Sequence, residues 1–266
     1  MKAGGEHIFK YQAHKMNFLF LSCQVQFSSM FRCASFSLNV YIFSNPQACK
    51  VKSMPAKNEA GKFEFLHKLA LELGALDAKI IPTSKIVVED RVVLKCKVGC
   101  NNYGKTLACP PYVPTAEEFR KIVAEYHYAI FMKFKTNVEA DAELKKYLSM
   151  TETEVAEANK EVLPKWKEFW ANWNAHKKDL LDTTLMVEKE AMNKGYPLAF
   201  GMVSGMCHVC DECIGVKTGI CLHPTLRRYS EEAVGVNVQA TAKKSGLKMT
   251  IPWPKTPESF AMVLID

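Results

Sequence analysis

The sequence lacks the short motifs that identify the commonest nucleotide, dinucleotide and hydrolase sites. It has no G-x-x-x-x-G-K-S/T phosphate loop, no G-x-G-x-x-G fingerprint, no H-E-x-x-H pair and no G-x-S-x-G elbow. The main body also contains no internal repeat and no low-complexity linker. These absences remove the easiest assignments to nucleotide binding, zinc proteolysis and serine hydrolysis, and they leave the cysteines as the chief chemical signal.

The sequence has no uninterrupted apolar run of the roughly 20 residues that a membrane-spanning helix needs. The most apolar stretch, residues 16–43, is broken by Gln24, Gln26 and Arg32, and a charge in mid-span is costly in a bilayer. We therefore expect no membrane partner. A chain with this many cysteines outside a small secreted scaffold is typical of the reducing cytoplasm, so we predict a cytoplasmic protein.

Concentrated basic charge is also missing from the main body. The formal net charge is +7, but residues 1–53 hold six basic residues against Glu6 alone, which accounts for +5 and leaves +2 for residues 54–266. Nucleic-acid-binding domains usually show a basic patch or stripe. We therefore do not expect a nucleic-acid partner.

Residues 1–55 differ in character from the rest of the chain. They are basic, rich in serine and almost free of acidic residues, which is typical of an organelle-targeting peptide over residues 1–53. The alternative is an upstream extension from an over-long gene model, because a natural domain start follows at Met54, and we favour this alternative. In both cases residues 1–55 are expected to be disordered, and residues 56–266 are expected to form a cysteine-rich metal-binding domain.

Helical and strand patterns alternate along residues 56–266. Apolar residues at helical spacing, with the capping boxes Thr115–Glu118 and Thr151–Glu154, predict helices over 59–73, 115–126 and 231–245, and a helical stretch over 139–194 with a kink or break at Pro164. Apolar and β-branched runs predict strands within 79–95, 128–134, 198–203 and 260–265. This alternation favours an α/β or α+β fold with a single mixed sheet flanked by helices, and cysteine-rich loops at strand ends. The tryptophans of residues 166–173 are interpreted as core packing.

The strongest chemical signal is a tight set of four cysteines, here named the second cysteine group: Cys207, Cys210, Cys213 and Cys221. Three thiolates at C-x2-C-x2-C spacing, followed by a fourth, are typical of iron–sulfur ligation, so a [4Fe–4S] cluster is the predicted cofactor. Zinc is the alternative, although zinc sites usually use two separated pairs. The histidines and carboxylates within this motif are interpreted as solvated or outer-shell groups: His208, Asp211, Glu212 and His223.

Three further cysteines are here named the first cysteine group: Cys96, Cys100 and Cys109. Three thiolates are one short of a full ligand set, so they could hold a metal with an open coordination position, as a Lewis-acid catalyst needs. Two other readings stay open, namely a site shared with the second cysteine group and a set of redox thiols. Nearby charged and aromatic residues are interpreted as ordinary surface groups: Lys105, Arg227, Arg228 and Tyr229.

Both cysteine groups, in this order, resemble an uncharacterised family of predicted metal-binding proteins. The matching patterns are C-x3-C-x-x-Y-G-x4-C-P-P-Y from Cys96 to Tyr112, and G-x-C-x2-C-x2-C, C-x2-P and S-x-E-A-x-G-x-x-V from Gly205 to Val238. The resemblance covers about residues 60–266. It implies a domain of unknown function, found mostly in anaerobic microbes, whose cysteines bind metal, with iron–sulfur as the expected form.

Three functions remain open at the level of sequence. The first is a [4Fe–4S] redox or electron-transfer protein or subunit, which would need a redox partner protein. The second is an enzyme whose open metal site is formed by the first cysteine group. The third is a zinc-stapled module for protein interaction.

Overall fold

The computed structural model describes residues 59–266, so the predictions for residues 1–55 lie outside the described residues. Five strands form one mixed sheet in the order β1-β2-β5-β3-β4. Neighbouring strands are antiparallel except for the parallel pair β3 and β4. The strands are β1 (Asp77–Pro82), β2 (Tyr128–Lys135), β3 (Phe200–Val203), β4 (Tyr229–Ser230) and β5 (Glu258–Ile265). The predicted single mixed sheet is confirmed.

Seven α-helices accompany the sheet within residues 59–266. They are α1 (Glu64–Glu72), α2 (Asp90–Gly99), α3 (Ala116–Ala124), α4 (Glu152–Ala158), α5 (Leu163–Asn193), α6 (Gly215–Thr218) and α7 (Val238–Ser245). None of the helices in this part of the chain is long and apolar enough to cross a membrane.

The two central strands, β2 and β5, are buried on both faces. Alternate residues of each strand point into two hydrophobic cores, one on each face of the sheet. On β2, for example, Ile130 lies in the first core and Phe131 in the second. Helices α1 and α5 cover the first face, and α3 and α7 cover the second. Strands covered on both sides read as continuous apolar runs rather than alternating ones, which is why residues 128–134 and 260–265 were predictable as strands.

The predicted helix starts are confirmed where capping residues mark them. Thr115 caps α3 and Thr151 caps α4, and in each case the glutamate three residues later completes a capping box. Pro164 lies in the first turn of α5, where proline fits because no intrahelical hydrogen bond is lost there. Gly195, just beyond the end of α5, has φ of 97°, a left-handed conformation that glycine adopts easily.

Two predicted elements differ in the structure. Residues 90–99 form helix α2 and not a strand, so Cys96 lies in the last turn of a helix and not at a strand end. The predicted helix over residues 231–245 is divided, because Gly235 at φ 88° ends a short 3-10 turn and Asn237 caps α7 by accepting from Ala240 N. A residue with left-handed backbone angles cannot continue a right-handed α-helix. Gly235 therefore separates the 3-10 turn from α7.

Candidate metal centre

The first cysteine group lies where helix α2 ends and a compact loop begins. Cys96 is half-buried in the last helical turn, Cys100 caps the helix and is exposed, and Cys109 is 7% exposed. The loop between them folds back on itself, since Gly104 N donates to Pro110 O at 3.0 Å. The helix is anchored at its start by Glu89, whose carboxylate accepts a 2.8 Å hydrogen bond from Asn237 Nδ2.

The second cysteine group occupies the loop that follows strand β3, as predicted. The chain leaves β3 at Val203, turns at Gly205 with φ of 90°, and passes the short helix α6 before Gly219 turns it again with φ of 76°. Glycine is favoured at both turns because a side chain is strained at such angles. All four cysteines of the group are half-buried and free of disulfide bonds.

The two cysteine loops pack directly against each other at Gly215. A Cβ atom on Gly215 would lie 2.5 Å from Leu107 Cδ1 and 2.9 Å from the backbone oxygen of Ile220. Near this contact, Ser230 N donates to Ala108 O at 3.3 Å, which ties the strand after the second loop to the first loop. The absence of a side chain at residue 215 therefore sets how closely the two cysteine groups approach.

We expect Gly215→Ala to lower the free energy of unfolding by about 1–3 kcal/mol, the usual cost of overpacking. Leu107 can move aside, but the Ile220 carbonyl belongs to the backbone and must shift with its loop. Urea denaturation of the purified protein measures the change. Gly61→Ala is the matched control, because nothing lies within 4 Å of a Cβ there. An equal effect at both positions would contradict the close loop contact.

The electrostatics of the thiols show which cysteines are neighbours. Burial raises the pKa of Cys207, and the other three members of the second group raise it further. Burial likewise raises the pKa of Cys96 to about 11, followed by the charges of Cys100, Glu232 and Cys109. The pKa of Cys109 is raised by burial first and then by neighbours that include both Cys100 and Cys207. Cys207 thus lies within electrostatic reach of the rest of its group, Cys96 and Cys109 lie within reach of Cys100, and Cys109 connects the two groups through Cys207.

The donor set of these loops suits a thiophilic metal. Within residues 59–266, no three or more His, Cys, Asp or Glu side chains are already drawn together at the spacing of ligands around one ion. The seven thiols nevertheless lie on the end of α2 and on two loops that touch at Gly215, and none of them forms a disulfide. Sulfur ligands of this kind select iron–sulfur clusters or zinc over magnesium and calcium.

A cavity of about 740 Å³ opens beside the first cysteine group. All three cysteines of that group line it, and so do residues from three other parts of the chain: Trp166, Trp170 and Trp173 of α5, Met206 and His208 of the second loop, and Glu232. The volume falls within the range of small-molecule sites. The first cysteine group therefore faces a space that a substrate-sized molecule can enter.

A comparison with protein families matches residues 79–265 to the family described as predicted metal-binding protein (DUF2284). The chain belongs to this family. The match covers both cysteine groups and the sheet that carries them, and the resemblance seen in the sequence is confirmed. The family description specifies metal binding and leaves the metal open. Neither the curated proteins nor the solved structures gave a match.

Other residues of this DUF2284 chain that the sequence singled out fall in different environments. His208 lines the cavity, and burial, followed by the nearby Lys177 and Lys178 charges, lowers its pKa to about 4. His223, Asp211 and Lys105 are exposed. Glu212 forms an exposed pair with Lys217 at 2.8 Å.

Arg228 is not the surface charge that the sequence suggested. Its guanidinium forms a buried ion pair with Glu188 of helix α5, in which Arg228 Nε donates to Glu188 Oε2 at 2.7 Å. The same carboxylate oxygen accepts from the backbone N–H of Gly201 at 2.5 Å. Arg227 lies over the ring of Tyr229 at 5.8 Å. The pair thus joins α5, strand β3 and the exit of the second cysteine loop.

Sequence reasoning missed two acidic residues that follow strand β4. Glu232 lines the cavity, its carboxylate accepts from Ser230 Oγ at 2.9 Å, and its backbone oxygen lies 4.0 Å from Cys96 Sγ. Glu231 is fully buried, and neither carboxylate oxygen has a hydrogen-bond partner among residues 59–266. The family-like S-x-E pattern contains both residues but does not indicate which one faces the cavity.

We expect Glu231→Gln to stabilise the protein more at about pH 8 than at about pH 4. Burial, reinforced by the charge of Glu232, raises the pKa of Glu231 well above its ordinary value of 4.5. As the pH rises past 4.5, the unfolded chain releases this proton while the native state retains it, so native stability falls. Glutamine removes that penalty. Urea titrations at both pH values measure the difference, and a pH-independent difference would contradict the buried acid.

Proposed function

We propose that this metal-binding protein holds a [4Fe–4S] cluster through the second cysteine group and acts in electron transfer with a redox partner protein. The observation that carries the proposal is the set of four half-buried and unpaired thiols at C-x2-C-x2-C-x7-C spacing, in which the charges of the other three act on Cys207. A cluster with four cysteine ligands supplies one-electron redox chemistry at low potential.

The chain's own residues supply the surroundings that would set such a potential. The half-burial of the four cysteines reduces their contact with water. The left-handed turns at Gly205 and Gly219 allow the backbone to approach the sulfurs closely. Burial and backbone N–H groups near the sulfurs are the usual means by which a protein tunes a cluster.

The experiment that tests this proposal is metal and sulfide analysis of the full chain purified without oxygen. A [4Fe–4S] centre predicts a brown protein with about four iron and four sulfide per chain. Electron paramagnetic resonance of the reduced sample then counts the paramagnetic centres. A colourless sample with stoichiometric zinc would overturn the cluster and favour a zinc-stapled interaction module.

The cavity favours a second candidate function for the first cysteine group. Three thiolates leave one coordination position of a bound metal free, and all three cysteines line the 740 Å³ cavity. This arrangement suits an enzyme whose substrate reaches the free position. A change of the resonance signal of the reduced protein when a small molecule binds would support this function, and an unchanged signal would favour electron transfer alone.

A further inference from the structure

The cavity beside the first cysteine group is bordered by a carboxylate as well as by three thiols. The side chains that line it include Cys96, Cys100, Cys109 and the half-buried Glu232. Carboxylate oxygens bind zinc in proteins, as cysteine sulfurs do. Because Glu232 borders the same space as the three cysteines, its carboxylate is open to whatever that space holds.

The backbone holds the short turn that carries Glu232 against helix α2. At the start of the helix, Glu89 N donates to Gly235 O at 2.8 Å. In the last turn of the helix, Cys96 Sγ donates to Glu232 O at 4.0 Å. The turn is therefore fixed beside α2 at both of its ends, and Glu232 lies at the end that adjoins Cys96.

The charge of Glu232 acts on two of the three thiols. Burial raises the pKa of Cys96 and of Cys109, and in both cases the charge of Glu232 is among the neighbouring charges that raise it further. Within residues 59–266, Lys95 is the only lysine or arginine that lines the cavity. Three thiolates and a carboxylate around such a space repel one another, and a bound metal cation offsets this repulsion.

The carboxylate of Glu232 is oriented by a neighbouring hydroxyl. Ser230 is buried at the end of strand β4, and its Oγ donates to Glu232 Oε2 at 2.9 Å. Among residues 59–266 this carboxylate has no other hydrogen bond and no ion pair, so Oε1 stays available. Carboxylates that bind metals are usually held in this way by an outer hydrogen bond.

His208 is the other side chain with a carboxylate or imidazole that lines the cavity. It follows Cys207 on the second cysteine loop, and the charges that act on it are those of Lys177 and Lys178. Glu232, in contrast, acts on two thiols of the first cysteine group. Glu232 is therefore the better candidate to complete that group, and His208 provides a comparison.

We propose that Glu232 is the fourth protein ligand of a metal held by the first cysteine group, in a site of three thiolates and one carboxylate. The inference rests on the second candidate function, since it requires a metal at this group, and it names the side chain that occupies the fourth position at rest. A carboxylate binds a thiophilic metal less firmly than a thiolate does. A substrate in the cavity can therefore replace Glu232 while the three thiolates keep the metal.

Nuclear magnetic resonance of bound cadmium tests the proposal on the full chain, stripped of metal without oxygen and reloaded with about two Cd²⁺ per chain, one for each thiol-rich site. The cadmium resonance moves downfield as more thiolates bind the ion. The second cysteine group predicts a four-thiolate line, and the first group with Glu232 predicts a line upfield of it. Glu232→Cys should move the upfield line into the four-thiolate region and leave the other line in place.

Three glutamine variants give an independent measurement of the same ligand. Glu232→Gln keeps the shape of the side chain and removes its charge, so competition with a chelator should show about tenfold or greater loss of cadmium affinity at the first group. His208→Gln changes another side chain of the cavity wall, and Glu231→Gln makes the same substitution at the neighbouring buried acid. Both should leave this affinity unchanged. Circular dichroism verifies folding, and Glu232→Gln decides the matter should Glu232→Cys not fold.

The outcomes separate this inference from the functions on which it rests. An unmoved upfield line in Glu232→Cys, or equal losses of affinity in Glu232→Gln and His208→Gln, would overturn the ligand assignment and leave a metal at the first cysteine group. A single four-thiolate line from the unmodified chain would overturn the second candidate function together with this inference. Iron and sulfide analysis of the protein as purified tests the cluster proposal independently of both results.

Discussion

We expect Cys210→Ser to abolish the iron–sulfur centre that we propose for the second cysteine group, here called the main centre. The serine hydroxyl stays protonated at neutral pH and is a far poorer ligand for iron than a thiolate. Cys210 is the middle member of the C-x2-C-x2-C run, so its loss interrupts the ligand set on both sides. Iron and sulfide should fall from about four of each per chain to a small residue, and the low-temperature resonance signal of the reduced protein should disappear.

Two further cysteine-to-serine variants serve as comparisons for Cys210→Ser. Cys109→Ser should leave the main centre intact if the two cysteine groups bind separately, and loss of both centres in this variant would show a single shared site. Cys49→Ser lies outside both groups and should leave iron and sulfide unchanged. Unchanged iron and sulfide in Cys210→Ser would contradict the assignment of the second cysteine group as ligands.

The fold was predictable wherever local signals and burial agree. The capping boxes at Thr115 and Thr151 and the doubly buried strands β2 and β5 were predicted nearly to the residue. Helix α2 was mistaken for a strand because its valines are β-branched, a preference that tertiary context overrides. Val92, Val93 and Cys96 are its half-buried positions, and their i, i+4 spacing belongs to a helix face rather than to a strand.

The site was predictable only as far as its ligands are local in sequence. The spacing within each cysteine group identifies the candidate ligands, but nothing in the sequence places Cys109 beside Cys207, which is 98 positions away. The three tryptophans that line the cavity, Glu232 and the buried Glu231 also reach the site from distant segments. Such contacts depend on how α5 crosses the sheet, which the sequence does not specify. The helical spacing of the tryptophans is the same whether their face packs in a core or lines a cavity.

Helix α5 fixes the second cysteine loop at both of its ends. At the entry, buried Lys177 donates from Nζ to Ser204 Oγ at 2.8 Å and to Ser259 Oγ at 3.1 Å. At the exit, Glu188 holds Arg228. Burial lowers the pKa of Lys177 to about 8, and the charges of Glu232 and Glu231 oppose that shift. Helix α5 therefore contacts both ends of the second cysteine loop and also carries the three tryptophans that line the cavity.

Arg228→Met is expected to lower the free energy of unfolding by about 3–5 kcal/mol, because it leaves the Glu188 carboxylate buried without its cation. The double variant Arg228→Met/Glu188→Gln should recover part of this loss, since a neutral amide oxygen can still accept from Gly201 N–H. Lys217→Met, which breaks the exposed pair with Glu212, should change stability little. Urea denaturation measures all three, and equal effects of Arg228→Met and Lys217→Met would show that the exit of the cysteine loop is not held by α5.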